Sequence, residues 1–324
     1  MKKRILLIFA VYVVAILFSL NIGAVKISLS DVFQIITGGD VPEYMRIIFF
    51  NIRLPRIIMA ILIGMMLSSS GVVVQTVFQN PLADPYIIGI SASATFGAVL
   101  AYVLKLPDIY YGVFAFITSL ISAFLIFSFS KSKNGMNTGG LLIIGIAISS
   151  LLGAFTSFSI YMIGEDSFKI TMWTMGYLGN ASWSKVLFLF IPLLISVIYF
   201  LYRRFEMDCL LSGEEEAHSM GVNVEKIKKQ LLIVASLIVA YSVAFSGMIG
   251  FVGLIIPHTL RMILGHSNKK LIPYSIVVGG IFLMLCDTLA RNILRPVEIP
   301  IGTITAFFGA PFFLFLAVKN KKEF

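Results

Sequence analysis

The chain has 324 residues, of which 58% are hydrophobic and only 13% charged, with a formal net charge of +9. Mean hydropathy is +0.96. A soluble domain carries about 25% charged residues, so this composition excludes an ordinary soluble enzyme and points to a membrane. Two cysteines and three histidines show no C-x-x-C or H-x-x-x-H spacing, which offers no metal cluster. No G-x-x-x-x-G-K-[ST] loop occurs, so the chain lacks that means of holding ATP.

In chain order, length and periodicity predict ten spans, over 5–22, 57–77, 87–104, 112–130, 140–163, 186–202, 231–249, 251–264, 272–290 and 301–318. Most approach the ~20 residues that cross a bilayer. The run over 251–264 is too short alone and reads as a broken span. Lys2-Lys3-Arg4 precedes the first apolar stretch. With no small-x-small cleavage site following, and nine more apolar runs beyond, it reads as the flank of a first helix and not of a cleaved signal peptide. The expected fold class is all-α, a polytopic membrane protein of about ten transmembrane helices.

Ten spans put both termini on one side of the membrane. That side holds 16 Lys and Arg against 9 on the other, so the positive-inside rule places both termini in the cytoplasm. The net positive charge follows from this bias. No aromatic-basic interleaving is visible, so no nucleic acid partner is expected. Cys209 falls in the 203–229 loop and Cys286 inside a span, which disfavours a disulfide between them.

Prolines and charges inside membrane-grade sequence are costly and need a reason. Asn80-Pro81-Leu82-Ala83-Asp84-Pro85 breaks one apolar stretch and suits the end of one helix and the cap of the next. The run from Gly250 to Arg261 contains Pro257-His258, a kink whose imidazole is expected to bond a freed carbonyl. Asp287 and Arg291 stand four apart and can pair on one helix face. Gly64, Gly71, Gly145 and Gly153 suit close helix packing. In the longest hydrophilic stretch, 203–229, Ser212 with Glu215 three residues on reads as a capping box. Glu214-Glu215-Glu216 then opens a helix, as the dipole favours, and Gly221 stops it. Arg53, Arg56, Arg291 and Arg295 sit on the side the charge bias leaves poor in cations. They either anchor to lipid phosphates, Asp287 and Glu298, or grip carboxylates of a partner through paired hydrogen bonds.

A set of motifs recurs in one order along nearly the whole chain. It runs Arg53-Leu54-Pro55-Arg56; Gly64, Gly71 and Gln75; Asn80–Pro85 with Gly89-Ile90-Ser91; Gly213-Glu214, Ala217 and Gly221; Gly250–Arg261; Asp287 with Ala290-Arg291; Glu298-Ile299-Pro300-Ile301-Gly302; and Gly309-Ala310-Pro311-Phe312-Phe313. This series resembles the FecCD-like permease family of ATP-driven importers for iron chelates, haem and cobalamin. Ser93, Ser212 and Met248 depart from the family's usual Gly, Leu and Pro.

The resemblance implies a type II ABC importer permease fold, one transmembrane domain over 1–324 with a cytoplasmic coupling segment at about 203–229. It implies that Gly213, Glu214, Glu215, Ala217 and Gly221 couple to an ATPase, and that Arg53, Arg56, Arg291 and Arg295 dock an external binding protein. Asn80, Pro81, Asp84, Pro85, Pro257, His258, Arg261, Asp287, Pro300, Gly302 and Pro311 would be structural motif positions. Facing copies would line a pathway with the helices at 140–163 and 301–318, where Gly145, Ser149, Gly153 and Thr156 give a small, weakly polar face. The implied partners are a second permease copy or close paralogue, two ATPase subunits, an external substrate-binding protein and membrane lipid. The chain itself would bind no cofactor and catalyse no covalent step, ATP and magnesium belonging to the ATPase. The implied place is a bacterial cytoplasmic (inner) membrane, and the commonest family cargo is an iron chelate. The alternative is a self-sufficient ion-coupled secondary transporter. That reading wants carboxylates at several membrane depths, whereas only Asp84 and Asp287 fall near spans.

Overall fold

A computed structural model describes residues 2–23, 25–132, 135–136 and 138–320. Lys133, Lys321 and Lys322, which enter the charge count, lie outside the described residues. The first third of the chain forms α1 (Lys2–Asn21), α2 (Leu29–Thr37), α3 (Glu43–Ile47), a π-helical stretch (Ile48–Arg53), α4 (Leu54–Val77) and α5 (Ile90–Val103). Then come α6 (Ile109–Phe129), α7 (Thr138–Ile163), α8 (Phe168–Thr174), α9 (Trp183–Tyr202), α10 (Arg204–Ser212) and α11 (Glu214–Ser219). The last third is α12 (Val224–Ser246), α13 (Val252–Leu264), α14 (Asn268–Ala290) and α15 (Ile301–Asn320). A two-residue antiparallel pairing, Lys131–Ser132 with Gly135–Met136, is the one strand pair among the described residues.

Ten of these helices coincide with the ten predicted spans. Six stretches are long and apolar enough to cross a membrane: Glu43–Val77, Ile109–Phe129, Gly139–Thr174, Trp183–Tyr202, Val224–Ser246 and Asn268–Ala290. The apolar helices at Ala10–Asn21, Ile90–Val103, Val252–Leu264 and Ile301–Phe315 are shorter. The chain is a multi-pass helical membrane protein.

Burial separates the centre of the bundle from its rim. The apolar window of Glu43–Val77 is 83% buried, against 22% for Ile109–Phe129 and 17% for Gly139–Thr174. α4 is therefore the central post, and α6 and α7 face outward. Small residues let neighbours reach α4. A Cβ on Gly71 would strike the Gly253 carbonyl of α13, and one on Gly64 would strike the Gly279 carbonyl of α14. Backbones meet there because lipid offers no hydrophobic drive and close contact must supply the attraction.

The broken span is real. α12 ends at Gly247 with φ 70°, and α13 opens only at Val252 after Phe251 turns to φ 69°. The stretch Met175–Tyr177 crosses this region and holds it with backbone hydrogen bonds. Tyr177 N donates to Ser246 O at 2.8 Å, while Ile301 N and Gly302 N donate to Gly176 O and Met175 O at 3.0 and 3.1 Å.

Short elements escaped the span-finding pattern. α2 is closed by a capping box in which Asp31 N donates to Ser28 Oγ at 3.1 Å and Ser28 N donates to Asp31 Oδ2 at 2.8 Å. Ser28 Oγ also donates to Asp31 Oδ2 at 2.7 Å, and that bond together with the one from Ser28 N holds the Asp31 carboxyl below its ordinary value. The π-helical stretch joins α3 to α4, so the central helix starts at Glu43 and not near residue 57.

Candidate functional site

The motif residues gather at the two ends of the bundle. At one end, Arg56 at the start of α4 reaches across to α14 and the turn beyond it. Its Nε donates to Asp287 Oδ1 at 3.0 Å, and its Nη1 donates to both oxygens of Glu298 at 3.0 Å. Arg291 Nε sits 2.9 Å from Asp287 Oδ2, and Arg291 Nη2 donates to Ser19 Oγ of α1 at 3.1 Å. The turn carrying Glu298 is closed by Ile299 N donating to Ala290 O at 3.0 Å. Two guanidiniums and two carboxylates balance formally. Asp287 is 1% exposed, a depth at which an unpaired charge would be expelled. Asp287 thus joins α4, α14 and α1, more than the i,i+4 pair with Arg291 alone.

Arg53 lies beside this cluster with different partners, the carbonyls of Leu20 and Val25 at and beyond the end of α1. A guanidinium satisfying carbonyls at a helix C-terminus is favoured by the dipole. Of the two readings left open for these arginines, Arg56 and Arg291 take the anchor to Asp287 and Glu298, and Arg53 takes backbone carbonyls instead. Each is buried and committed inward because burial demands a partner for the charge. Arg295 is the exposed member.

At the other end, α10 and α11 form the helix pair expected in 203–229. Gly213 joins them at φ 127°, ψ 156°, a backbone state that L side chains rarely adopt. The capping box expected of Ser212 and Glu215 is absent. Ser212 is the last residue of α10, Gly213 caps α11, and that cap has no side-chain hydrogen bond. Glu214 instead forms an ion pair with Lys228 of α12, whose side chain is 5% exposed. Ala217 is fully buried, so it seats α11 against the bundle, while Glu215, Glu216 and His218 face outward. Gly221 ends α11 at φ 84°. Gly221 N donates to His218 O at 2.9 Å and Val222 N to Ala217 O at 3.0 Å, a Schellman closure.

The helix pair is fastened to the spans. Gln79 Nε2 after α4 donates to Leu210 O of α10. Asp208 Oδ1 accepts from Asn268 N at 2.7 Å and Asn268 Nδ2 at 2.8 Å, at the N-terminus of α14. Ser267 Oγ donates to Asp208 Oδ2 at 3.4 Å. A cavity of about 540 Å³ opens here, lined by Gln75, Gln79, Asp208, Arg261 and His266 among others.

The Asn80–Pro85 run is a capping structure. Leu82 N donates to Asn80 Oδ1 at 2.9 Å and Tyr86 N to Asp84 Oδ1 at 2.7 Å. The Pro85 ring lies against Gly253, where a Cβ would meet its Cγ at 2.6 Å. His258 is buried on α13 and its Nδ1 has no hydrogen-bond partner in the chain, so the bond expected from its imidazole to a carbonyl freed by Pro257 is not seen at that atom. Pro300 precedes α15, Gly302 packs on Met175, and Pro311 lies inside α15.

The small-residue face of α7 divides. A Cβ on Gly89 would meet Ser149 Oγ at 2.9 Å and Gly145 O at 3.0 Å, and Thr156 is buried with its Oγ1 donating to Leu152 O at 2.8 Å. These three serve packing within the chain. Gly153 alone of the four has open space, with no atom beyond its own helix backbone within 4 Å of the point a Cβ would occupy.

The profile of the FecCD transport family matches residues 11–319. The chain belongs to the FecCD transport family. A hemin transport permease of Yersinia pestis is 36% identical over 331 residues, covering 99% of this chain and 98% of that one. A cobalamin import permease of Halobacterium salinarum is 43% identical over 281 residues, 85% of this chain and 74% of that one. Among solved structures, a metal-chelate-type ABC transporter in an inward-facing conformation superposes with a TM-score of 0.88 at 32% identity, covering 98% of this chain and 100% of that chain. FecCD membership makes the chain a transport permease.

Within this FecCD chain, sequence reasoning missed Asp208, Lys228 and Ser19. Asp208 is one acid in a mixed hydrophilic stretch, and nothing in the spacing links it to position 268. Ser19 hides inside an apolar run. Lys228 carries the one usable signal, a lysine on the inward side of an amphipathic helix start, where a carboxylate has to meet it.

Proposed function

We propose that this chain is the membrane subunit of an ATP-driven importer of the type II class. Two copies, or a copy and a paralogue, form the pathway; two ATPase subunits bind α10 and α11; an external binding protein delivers cargo at the Arg56–Asp287 end. Ten crossings, with both termini in the cytoplasm of a bacterial inner membrane, fit the charge bias and the ten apolar helices. The observation that carries the reading is the FecCD match over residues 11–319 together with the 0.88 superposition on a metal-chelate transporter.

The cargo we assign is an iron chelate, with haem or cobalamin as the nearest alternatives. Relatives named for hemin, cobalamin and iron hydroxamate support a bulky metal complex. One named for molybdate, 34% identical over 320 residues, sets the competing class, a small oxyanion. The secondary-transporter reading is disfavoured by Asp287. A carboxylate that carries protons or sodium must exchange partners, and Asp287 is held by two guanidiniums. Gly213→Val should leave the protein inserted and abolish uptake, because the φ 127° turn positions the ATPase-facing acids. ATP-driven uptake that survives in the variant refutes the coupling assignment.

A further inference from the structure

The cavity beside Asp208 holds opposite charges. Arg261 is 7% exposed, and its Nε and Nη2 have no hydrogen-bond partner. An anion would answer a bare guanidinium, yet Asp208 lines the same cavity and its field already falls on Arg261. One cation and one carboxylate cancel, so the cavity has no surplus charge to hold an anionic ligand. Its chemistry points back to Asp208 itself.

Asp208 lies on α10, in the segment assigned to ATPase coupling, yet its carboxylate is spent on the first backbone N–H of α14 and on the Asn268 side chain, 60 residues away. The residue in the N-cap position, Ser267, makes no side-chain cap of its own. An acidic cap supplied from another helix satisfies an orphan donor and faces the positive end of the helix dipole. α14 then runs on to Asp287. The stretch from Asn268 to Asp287 spans roughly 29 Å at 1.5 Å per residue. There the helix is gripped by Arg56 of α4 and, through Arg291, by Ser19 of α1. Both ends of α14 are therefore pinned by charge, one to the coupling helices and one to the opposite end of the bundle.

We infer that Asp208 is the positioning residue that makes α10 and α14 move as one body, so that displacement of the coupling helices reaches the Asp287 cluster through α14. The inference rests on the coupling role proposed for 203–229, and goes beyond it by naming the helix that carries the motion. Among the described residues no other carboxylate lines the cavity, and the contact sits at the end of the helix, where a small loss of capping frees a whole turn.

The test uses the full transporter, permease with its ATPase, in proteoliposomes. Asp208→Ala removes the cap; Asp208→Asn keeps an oxygen that can accept from Asn268 N. The expected result is a fall of tenfold or more in cargo moved per ATP hydrolysed for Asp208→Ala, with ATPase co-purification intact. Amide exchange at residues 268–271 should quicken at the same time, and Asp208→Asn should recover both readouts at least halfway. An unchanged transport-to-hydrolysis ratio in Asp208→Ala overturns the inference. So does loss of assembled complex in step with loss of uptake, which would make Asp208 a folding residue only. If Asp208→Ala transports normally while Gly213→Val does not, the link through α14 is wrong and the coupling segment stands. If both transport normally, the coupling assignment itself fails.

Discussion

Asp287 decides more at the level of single residues than any other side chain. It neutralises Arg56 at 3.0 Å and Arg291 at 2.9 Å while only 1% exposed. Asp287→Ala leaves two buried guanidiniums short of a carboxylate, and removing one partner of a buried ion pair costs about 3–5 kcal/mol. The expected outcome is a protein that loses its native state several degrees lower in detergent, measured by thermal aggregation. Asp287→Asn, which keeps an acceptor, should sit between the two. Asp108 gives a pH effect at a site outside the spans. Its hydrogen bond to Lys169 at 2.8 Å lowers the carboxyl below its ordinary value. A depressed folded value means the contribution is present above the ordinary carboxylate range and is lost as pH falls through the depressed one. Amide exchange across α8 should therefore accelerate on acidification in the native chain and not in Asp108→Asn. Half of this was legible in the sequence. The four-residue spacing of Asp287 and Arg291 gave their pairing, but Arg56 lies 231 positions from Asp287 and Glu298 sits beyond the end of α14. Only the fold brings them into one cluster, and that is why the sequence left open whether the arginines anchor to Asp287 and Glu298 or face a partner.

At the level of elements, glycines sort by what a methyl group would meet. Gly71→Ala should destabilise by about 1–3 kcal/mol, as overpacking does, because its Cβ would run into the Gly253 carbonyl and α4 would have to leave α13. Gly153→Ala should be silent for stability, since its Cβ would meet nothing beyond its own helix backbone within 4 Å. Comparing the yield of folded protein for the two variants checks the assignment of α4 as the central post. If Gly153→Ala instead blocks transport in a well-folded protein, Gly153 borders the pathway. Spans were legible from hydropathy since ten apolar runs of helix length leave little choice of secondary structure in lipid. The short amphipathic helices were not. α2 and α8, at 9 and 7 residues, give too few turns for a period to declare itself. The capping-box reading at Ser212 failed for a related reason. A Ser-x-x-Glu pattern fits many helix starts, and the φ 127° of Gly213, which shifts the start by one residue, leaves no mark beyond the glycine itself.

For the whole molecule, the proposed importer role means that the chain moves cargo only when an ATPase drives α10 and α11. The exposed acids Glu215 and Glu216 give the proposed docking face a negative edge, so Glu215→Lys with Glu216→Lys should weaken ATPase association, more at low salt than at high. Co-purification at two ionic strengths reads this directly. The order of the motifs made the family legible in the sequence, whereas the fastening of α10 to α14 by Asp208 depends on a contact across 60 residues that no local pattern encodes. The most direct measurement is uptake of a ferric chelate into proteoliposomes that contain the permease with or without its ATPase. The expected result is accumulation that requires both the ATPase and ATP, and that disappears in Gly213→Val. Accumulation by the permease alone, driven by a proton or sodium gradient, would contradict it.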